Sequence, residues 1–280
     1  MTSLRKVYQH EAEHTGSVGV EIEMEGSHLP KTVGKWWSVK EDPSLRNGLE
    51  YVFKKPLTFE ESKEALQFLK YTMDANKVVF RDSIRAGTHI HINVLDMELK
   101  DIAKVLVVYF VLENLLIKFC GRGRDGNVFC LKASDATYLM QKLIKAFETG
   151  RFGLLYNDDI RYSAMNLKAL GQYGSLEFRA IRTTYDFSVV EMWIGTLLKI
   201  RDSASLFNSP RDIMTELSAY GGVSFINKVL GEYASHFSSK ENVNELLREG
   251  VNNVQDFVYC IDWDGFDGTG KNPFKKKVMI

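Results

Sequence analysis

The chain has 280 residues, 45% of them hydrophobic, which is enough for one large domain or two small ones with a real core. Its 36 Lys+Arg balance 36 Asp+Glu, so no global field draws in nucleic acid or an anionic membrane, although a local basic pocket remains open to it. Cys120, Cys130 and Cys260, with no C-x-x-C pair among them, exclude a disulfide scaffold and point to the reducing cytoplasm.

The first residues, MTSLRKVYQHEAEH, lack the apolar core that a signal peptide needs. Within them His10, Glu11 and His14 spell H-E-x-x-H. In that pattern two histidines one helical turn apart bind zinc and the glutamate activates the bound water. Gly16 would stop a helix just after His14, so a solvated, charged turn competes with the zinc reading. Residues 17–25 then alternate as a strand, with Val18, Val20, Ile22 and Met24 on one face and Glu21, Glu23 and Glu25 on the other. A loop around EDPSLRNG leads to a second strand at 49–54, which Pro56 ends. Thr58 to Glu61 form a capping box, followed at helical spacing by Ala65, Leu66, Phe68, Leu69 and Met73.

Residues 78–80 and 88–94 read as further strands, and 96–119 as a long helix with an apolar middle, packed on one face of the sheet. Its most apolar run, 105–112, is too short to span a bilayer. The loop CGRGRDGNVFC precedes a helix at about 134–147, and 163–167 and 175–182 read as two more strands. From Phe187 onward the pattern is helical, with Ser209-Pro210 starting one helix by cap and first-turn proline. The tail DGFDGTGKNPFKKKVMI is turn-rich and basic. Strands early, a mixed middle and helices late give an α+β fold with a mainly antiparallel sheet.

Chemistry collects on three of these strands. Glu21 and Glu23 project from one face about 7 Å apart, a spacing that suits hard divalent cations such as Mg²⁺. GTHIHINV places His89 and His91 on one face opposite Ile90 and Ile92, and SLEFRAIR does the same with Glu177 and Arg179 opposite Leu176 and Phe178. A single E-x-E is usually the wet face of an ordinary strand. Three such strands, with Asp42 and Glu50 between them in sequence, are costly to bring together unless metals and phosphates neutralise them. That combination points to nucleotide chemistry.

The motifs GVEIE, then ED-x-S-L-x-x-G-x-E-x-V-x-x-P, then G-T-H-I-H-I-N, then R-Y-x-x-x-N-L and L-E-F-R stand in this order from about Val18 to Arg182. In that order they resemble the amidoligase family, the carboxylate–amine ligases related to glutamine synthetase and glutamate–cysteine ligase, found in bacterial and phage genomes. The resemblance implies a curved, glutamine synthetase-like sheet flanked by helices. It implies one catalytic domain with its core at 17–185, a helical portion at 186–262 and a tail at 263–280. It implies ATP-driven amide formation from a small-molecule or peptide acid and an amine, through an acyl phosphate, with two or more Mg²⁺ or Mn²⁺ ions.

By the same resemblance Glu21, His89 and Glu177 hold the metal on the ATP phosphates, and Glu23, Asp42 and Glu50 a second one. Arg179 meets the γ-phosphate, Arg161 a phosphate or carboxylate, and Asn166 orients substrate. His91 is expected to stand behind the ligands, and Asp42 departs from the glutamate of the glutamine synthetase branch. For Arg122 and Arg124 two readings stand: a contact to the substrate carboxylate, or a solvated loop. Gly121, Gly123 and Gly126 match G-x-G-x-x-G by letter, but a helix precedes them where a dinucleotide site needs a strand. The tail's Gly-Thr-Gly-Lys lacks P-loop spacing. Trp36 and Trp37 read as core or rim packing, and the cysteines as structural. Besides the ligase, a zinc hydrolase at His10, Glu11 and His14 and a non-catalytic nucleotide-binding module remain as alternatives. The acid, the amine, the base and the oligomeric state are not legible.

Overall fold

The computed structural model describes residues 2–270 apart from 12, 14, 15, 122 and 239–241. Arg122, His14 and the lysine of the tail's Gly-Thr-Gly-Lys therefore lie outside the described residues. A short helix, α1 (Leu4–Tyr8), precedes β1 (Val18–Ser27), β2 (Trp37–Glu41) and β3 (Gly48–Phe53). Helix α2 (Phe59–Ala75), β4 (Val79–Arg81), β5 (Thr88–Asn93) and α3 (Leu99–Phe119) follow. The middle holds α4 (Thr137–Thr149), β6 (Met165–Asn166), α5 (Lys168–Tyr173) and β7 (Ser175–Phe178). The remainder is helical: α6 (Phe187–Asp202), α7 (Pro210–Leu230), α8 (Ser235–Ser238) and α9 (Val243–Cys260).

The strands make one open antiparallel sheet of seven in the order β2-β3-β1-β5-β7-β6, with β4 pairing the far end of β1. The fold is α+β with a helical C-terminal region. One sheet face is dry. Val18, Val20, Ile22, Met24, Tyr51, Ile90, Ile92, Leu176 and Phe178 are all essentially inaccessible, as the alternation of each strand requires. Behind this face stands α3, buried on nearly every side from Ile102 to Ile117, which is why its sequence is apolar all round rather than striped. Helix α9 packs along α3 so closely that a Cβ on Gly250 would sit 2.3 Å from the Val111 carbonyl oxygen. No helix of the described residues is long and apolar enough to cross a membrane.

The expected helix starts are present. Thr58 and Glu61 form a reciprocal capping box, and Ser209 caps α7 with Pro210 behind it. Three readings change. WSVKE is a strand, β2, rather than part of a loop, with Trp37 sunk in the core and bonded to Ala65 O at 2.9 Å. The strand expected at 175–182 ends at Phe178, beyond which single bonds continue, from Arg179 N to Ala164 O and from Thr88 N to Ile181 O. The one expected at 163–167 is reduced to two residues, and α5 begins immediately after it.

Two ionisable groups of α3, Lys104 and Glu113, lie buried in the helical layer. Glu113 of α3 is 1% exposed; one carboxylate oxygen accepts from the Ala133 amide at 2.7 Å and the other has no partner. Burial pushes this carboxyl from its ordinary 4.5 up to about 8. A carboxyl raised on folding contributes stability that is complete below 4.5 and is lost as pH rises through about 8. Glu113→Gln should therefore melt about 5 °C above the parent chain at pH 8.5 and within a degree or so of it at pH 5. Thermal unfolding scans across that pH range check this; an offset independent of pH would refute it.

Candidate active site

The second face of the sheet is polar. Antiparallel register sets Glu50 opposite Glu23, His89 opposite Glu21, and His91 opposite Glu177, which in turn faces Asn166. Residues directly opposite share a face, so four strands bring their ionisable groups to one surface and a fifth adds the Asn166 amide. The alternation that buries Ile22 and Ile90 lifts Glu21, Glu23, His89 and His91 together.

His89 is 5% exposed and sits at the centre. Its Nδ1 lies 3.3 Å from Glu21 and 3.8 Å from Glu177, and its Nε2 lies 3.9 Å from Glu23. His91 contacts Ser175 Oγ through Nδ1 at 3.1 Å, while its buried Nε2 lies 3.5 Å from Glu21 without a well-formed hydrogen bond. Glu21, His91 and Glu177 offer one ligand atom each within 4.8 Å of one another. His91 thus stands among the acids, not behind them, and both imidazoles are placed to share Glu21 and Glu177.

Glu177 is fixed from two further sides. Asn166 Nδ2 donates to it at 2.6 Å and Arg179 donates through Nη1. Asn166 therefore holds a carboxylate, and its own oxygen accepts from Lys168 N. Glu23 accepts from the Gly87 amide at 2.8 Å. A side chain at position 87 would press on His89 Nε2 at 3.2 Å and Arg124 Nη2 at 3.3 Å, so glycine is needed for this close approach.

Burial by itself would raise the Glu21 carboxyl, yet His89 and His91 overcome it and hold the group far below the usual carboxylate range. For Glu177, burial is likewise outweighed by His91, Arg179 and His89, and the pKa falls. Burial opposes charge on His91, but Glu21 and Glu177 win and raise its pKa. Glu50 moves up instead, because burial and then Glu21 disfavour its charge more than Lys40 favours it. The neighbouring acids thus divide, with Glu21 and Glu177 kept as anions.

Two cavities open on this face. One, of about 230 Å³, is lined by Glu23, Asp42, Ser44, Arg85, Gly87, His89, Arg124, Phe129, Arg161, Tyr162 and Arg179. It gathers Glu23, Asp42, Arg161 and Arg179, while Glu50, expected beside Glu23 and Asp42, is not in its lining. The other, of about 300 Å³, lies beyond Glu21 and His91 and includes Lys40, Lys54, Lys55 and Tyr173. Asp42 accepts from Ser44 N at 2.7 Å, in the turn between β2 and β3.

Arg85 was not among the residues singled out from sequence. The available signal was a basic residue two positions before Gly87, where β5 enters the site. Of the two readings of its loop, Arg124 departs from the solvated one, and it lines the smaller cavity. It is 2% exposed, and its guanidinium donates to the Ala180 carbonyl at 2.7 Å and the Arg179 carbonyl at 2.5 Å. It anchors the main chain behind Arg179 rather than lying in solvent. His10 and Glu11 fall after α1 in irregular chain, with His10 against Leu170 O, so this part of the H-E-x-x-H segment is not helical. Neither Trp36 nor Trp37 lines either cavity. Cys120, Cys130 and Cys260 are free thiols.

An open antiparallel sheet with helices behind one face, and acids, imidazoles and guanidinium groups on the other, is a scaffold for anion and cation chemistry. The family model described as "putative amidoligase enzyme" matches residues 52–201, from within β3 to within α6, and the chain belongs to that amidoligase family. No curated protein matches the chain. The matched segment holds His89, His91, Arg161, Asn166, Glu177 and Arg179. Glu21, Glu23, Asp42 and Glu50 lie before it and are joined to it by strand pairing.

Arg124 yields a test. Arg124→Met leaves two buried carbonyls unpaired, and it should destabilise the chain by about 3 kcal/mol. Arg124→Lys, able to reach one carbonyl but not both, should fall between. Chemical denaturation measures both, and a loss of less than about 0.5 kcal/mol, the usual range for a surface change, in Arg124→Met would refute the anchoring role.

Proposed function

We propose that this chain is an ATP-dependent ligase that joins a carboxylate to an amine through an acyl phosphate. Membership of the amidoligase family supports amide-bond formation; the nucleotide and the intermediate are our reading of the site. The observation that carries it is the single sheet face on which Glu21, Glu23, His89, His91 and Glu177 meet arginines at a cavity mouth.

The residues fit divalent cations. Two carboxylates kept ionised and a buried imidazole nitrogen lacking a good partner make an oxygen-rich donor set compatible with Mg²⁺ or Mn²⁺. Glu21 and Glu177, with His89 or His91, would hold the ion on the ATP phosphates; Glu23, Asp42 and Glu50 would hold a second. Such ions, when bound, neutralise phosphate charge and lower the barrier to phosphoryl transfer.

The chain's own groups do the rest. The substrate carboxylate attacks the γ-phosphorus, the bond to the bridging oxygen breaks, and ADP leaves with the electron pair. Arg179, held by Glu177, is placed to meet the transferring phosphoryl group, and Arg161 to meet it or the acid. The amine then attacks the acyl carbon, the carbon–oxygen bond to phosphate breaks, and the amine proton is released to solvent. Lys40, Lys54 and Lys55 around the second cavity suit the remaining phosphates of the nucleotide. The protein supplies position and charge, with no covalent nucleophile.

ADP formation should require Mg²⁺, acid and amine together. Glu21→Gln and Glu177→Gln should lower its rate by about a thousandfold, the scale seen when a major electrostatic group is removed. The same variants should weaken Mn²⁺ binding followed by electron paramagnetic resonance. Full activity with normal Mn²⁺ binding in either variant would defeat the assignment.

A further inference from the structure

Four large apolar side chains are exposed on the loops that line the arginine-rich cavity: Ile84, Val128, Phe129 and Tyr162. Phe129 and Tyr162 also line the cavity, their rings edge-on at 6.1 Å. Ile84 directly precedes cavity-lining Arg85, and Val128 directly precedes Phe129. Ile84 is 63% exposed and Val128 65%, on two loops joined by the Asn127 side chain.

The loops that carry them are built, not frayed. The Asn127 amide donates to Gly123 O at 3.1 Å and to Ile84 O at 3.4 Å, and its oxygen accepts from Phe129 N at 2.9 Å. Arg182 bonds Ser83 O at 3.3 Å and pairs with Asp82 at 2.6 Å. A fixed scaffold thus holds an apolar patch in water, continuous with a reactive cavity, and such patches mark binding surfaces.

Charge and size say what covers it. Arg85 contacts Ser44 O at 3.4 Å and Arg161 lies over the Tyr162 ring at 4.8 Å; among the described residues neither is salt-bridged to a carboxylate. Two such guanidinium groups in one cavity suit a carboxylate. The cavity, at about 230 Å³, is below the range of roughly 300–1,000 Å³ that encloses a whole ligand. It takes the reacting carboxylate and its nearest atoms, and the rest of the acid lies on the rim.

We propose that the acid substrate is a peptide whose C-terminal carboxylate enters between Arg85 and Arg161 while its neighbouring apolar side chains cover Ile84, Val128, Phe129 and Tyr162. The fate of that carboxylate rests on the ligase reading; the docking does not, and is measured without turnover.

The probe is fluorescein-Gly-Ala-Leu-Phe, titrated with the full chain and followed by anisotropy, beside the same peptide ending in a carboxamide. The free acid should bind at least tenfold more tightly than the amide. Ile84→Ser and Val128→Ser, outside the cavity wall, should each weaken it about fivefold through lost apolar contact, with unchanged melting. Tyr220→Ser, exposed on α7, should bind like the parent. In ADP assays with hydroxylamine as the amine, the two rim variants should raise the peptide KM and leave kcat alone. Equal binding of acid and amide, rim variants that bind like the parent, or displacement of the peptide by octanoate at equal concentration would overturn the proposal. Docking as expected with no ADP from any amine would instead sink the ligase reading and leave the docking intact.

Discussion

The register of β1 against its neighbours is the constraint on which the site depends. A slip of one residue on a two-residue period would turn Glu21 and Glu23 into the core and Ile22 into water. Val18, Val20, Ile22 and Met24, all essentially inaccessible, make that slip prohibitive. The polar face therefore owes its geometry to the apolar one. Glu21 meets His89 at 3.3 Å because Val20 and Ile90, paired across the same two strands, are packed together beneath.

That arrangement carries a cost the rest of the molecule offsets. Glu21, Glu23, Glu50 and Glu177 share one surface, and like charges at this range repel. The chain answers locally with two imidazoles and with Arg179, and more broadly with an unusually thorough core. Helix α3 is enclosed over five turns by sheet and helices, and α9 lies against it at backbone distance through Gly250. The layer behind the acid-crowded face is apolar and closely packed, and polar groups are few in it. Glu113 is one of them, a carboxyl placed inside the helical layer where its neutral form is favoured.

Much of this was legible in the sequence because strand alternation is a short-range signal. G-T-H-I-H-I-N and L-E-F-R read directly as one polar and one apolar face, and both histidines lie on the expected side. Helix caps at Thr58 and Ser209 were equally plain, since the capping oxygen and its target are three residues apart. What failed to show depends on long-range pairing. WSVKE alternates only weakly, and its strand exists because β3 is available to pair with it. The order of the two histidines in the site was not readable either: whether His91 stands in front of or behind the acids is decided by β7, 86 positions away at Glu177, and by no local pattern. For Arg124 the glycine-rich loop left a substrate contact and a solvated position equally open, and its burial is created by carbonyls at 179 and 180.

The arginine loop and the sheet are consequently one device. Arg124 holds the chain at Arg179, Arg179 holds Glu177, and Asn166 holds Glu177 from the opposite side. Each contact fixes the next group along, from Arg124 to Glu177 on β7. A carboxylate so restrained loses little conformational entropy when it engages a charged ligand, which is where binding strength at a polar site is otherwise spent. Gly87 completes the logic from the other edge: its bare amide bonds Glu23, and its missing side chain leaves room for His89 and the Arg124 guanidinium to approach. Arg179 thus belongs both to the groups that make the face chemically capable and to those that make it rigid, while Arg124, Asn166 and Gly87 hold the charged groups of four strands at a common point.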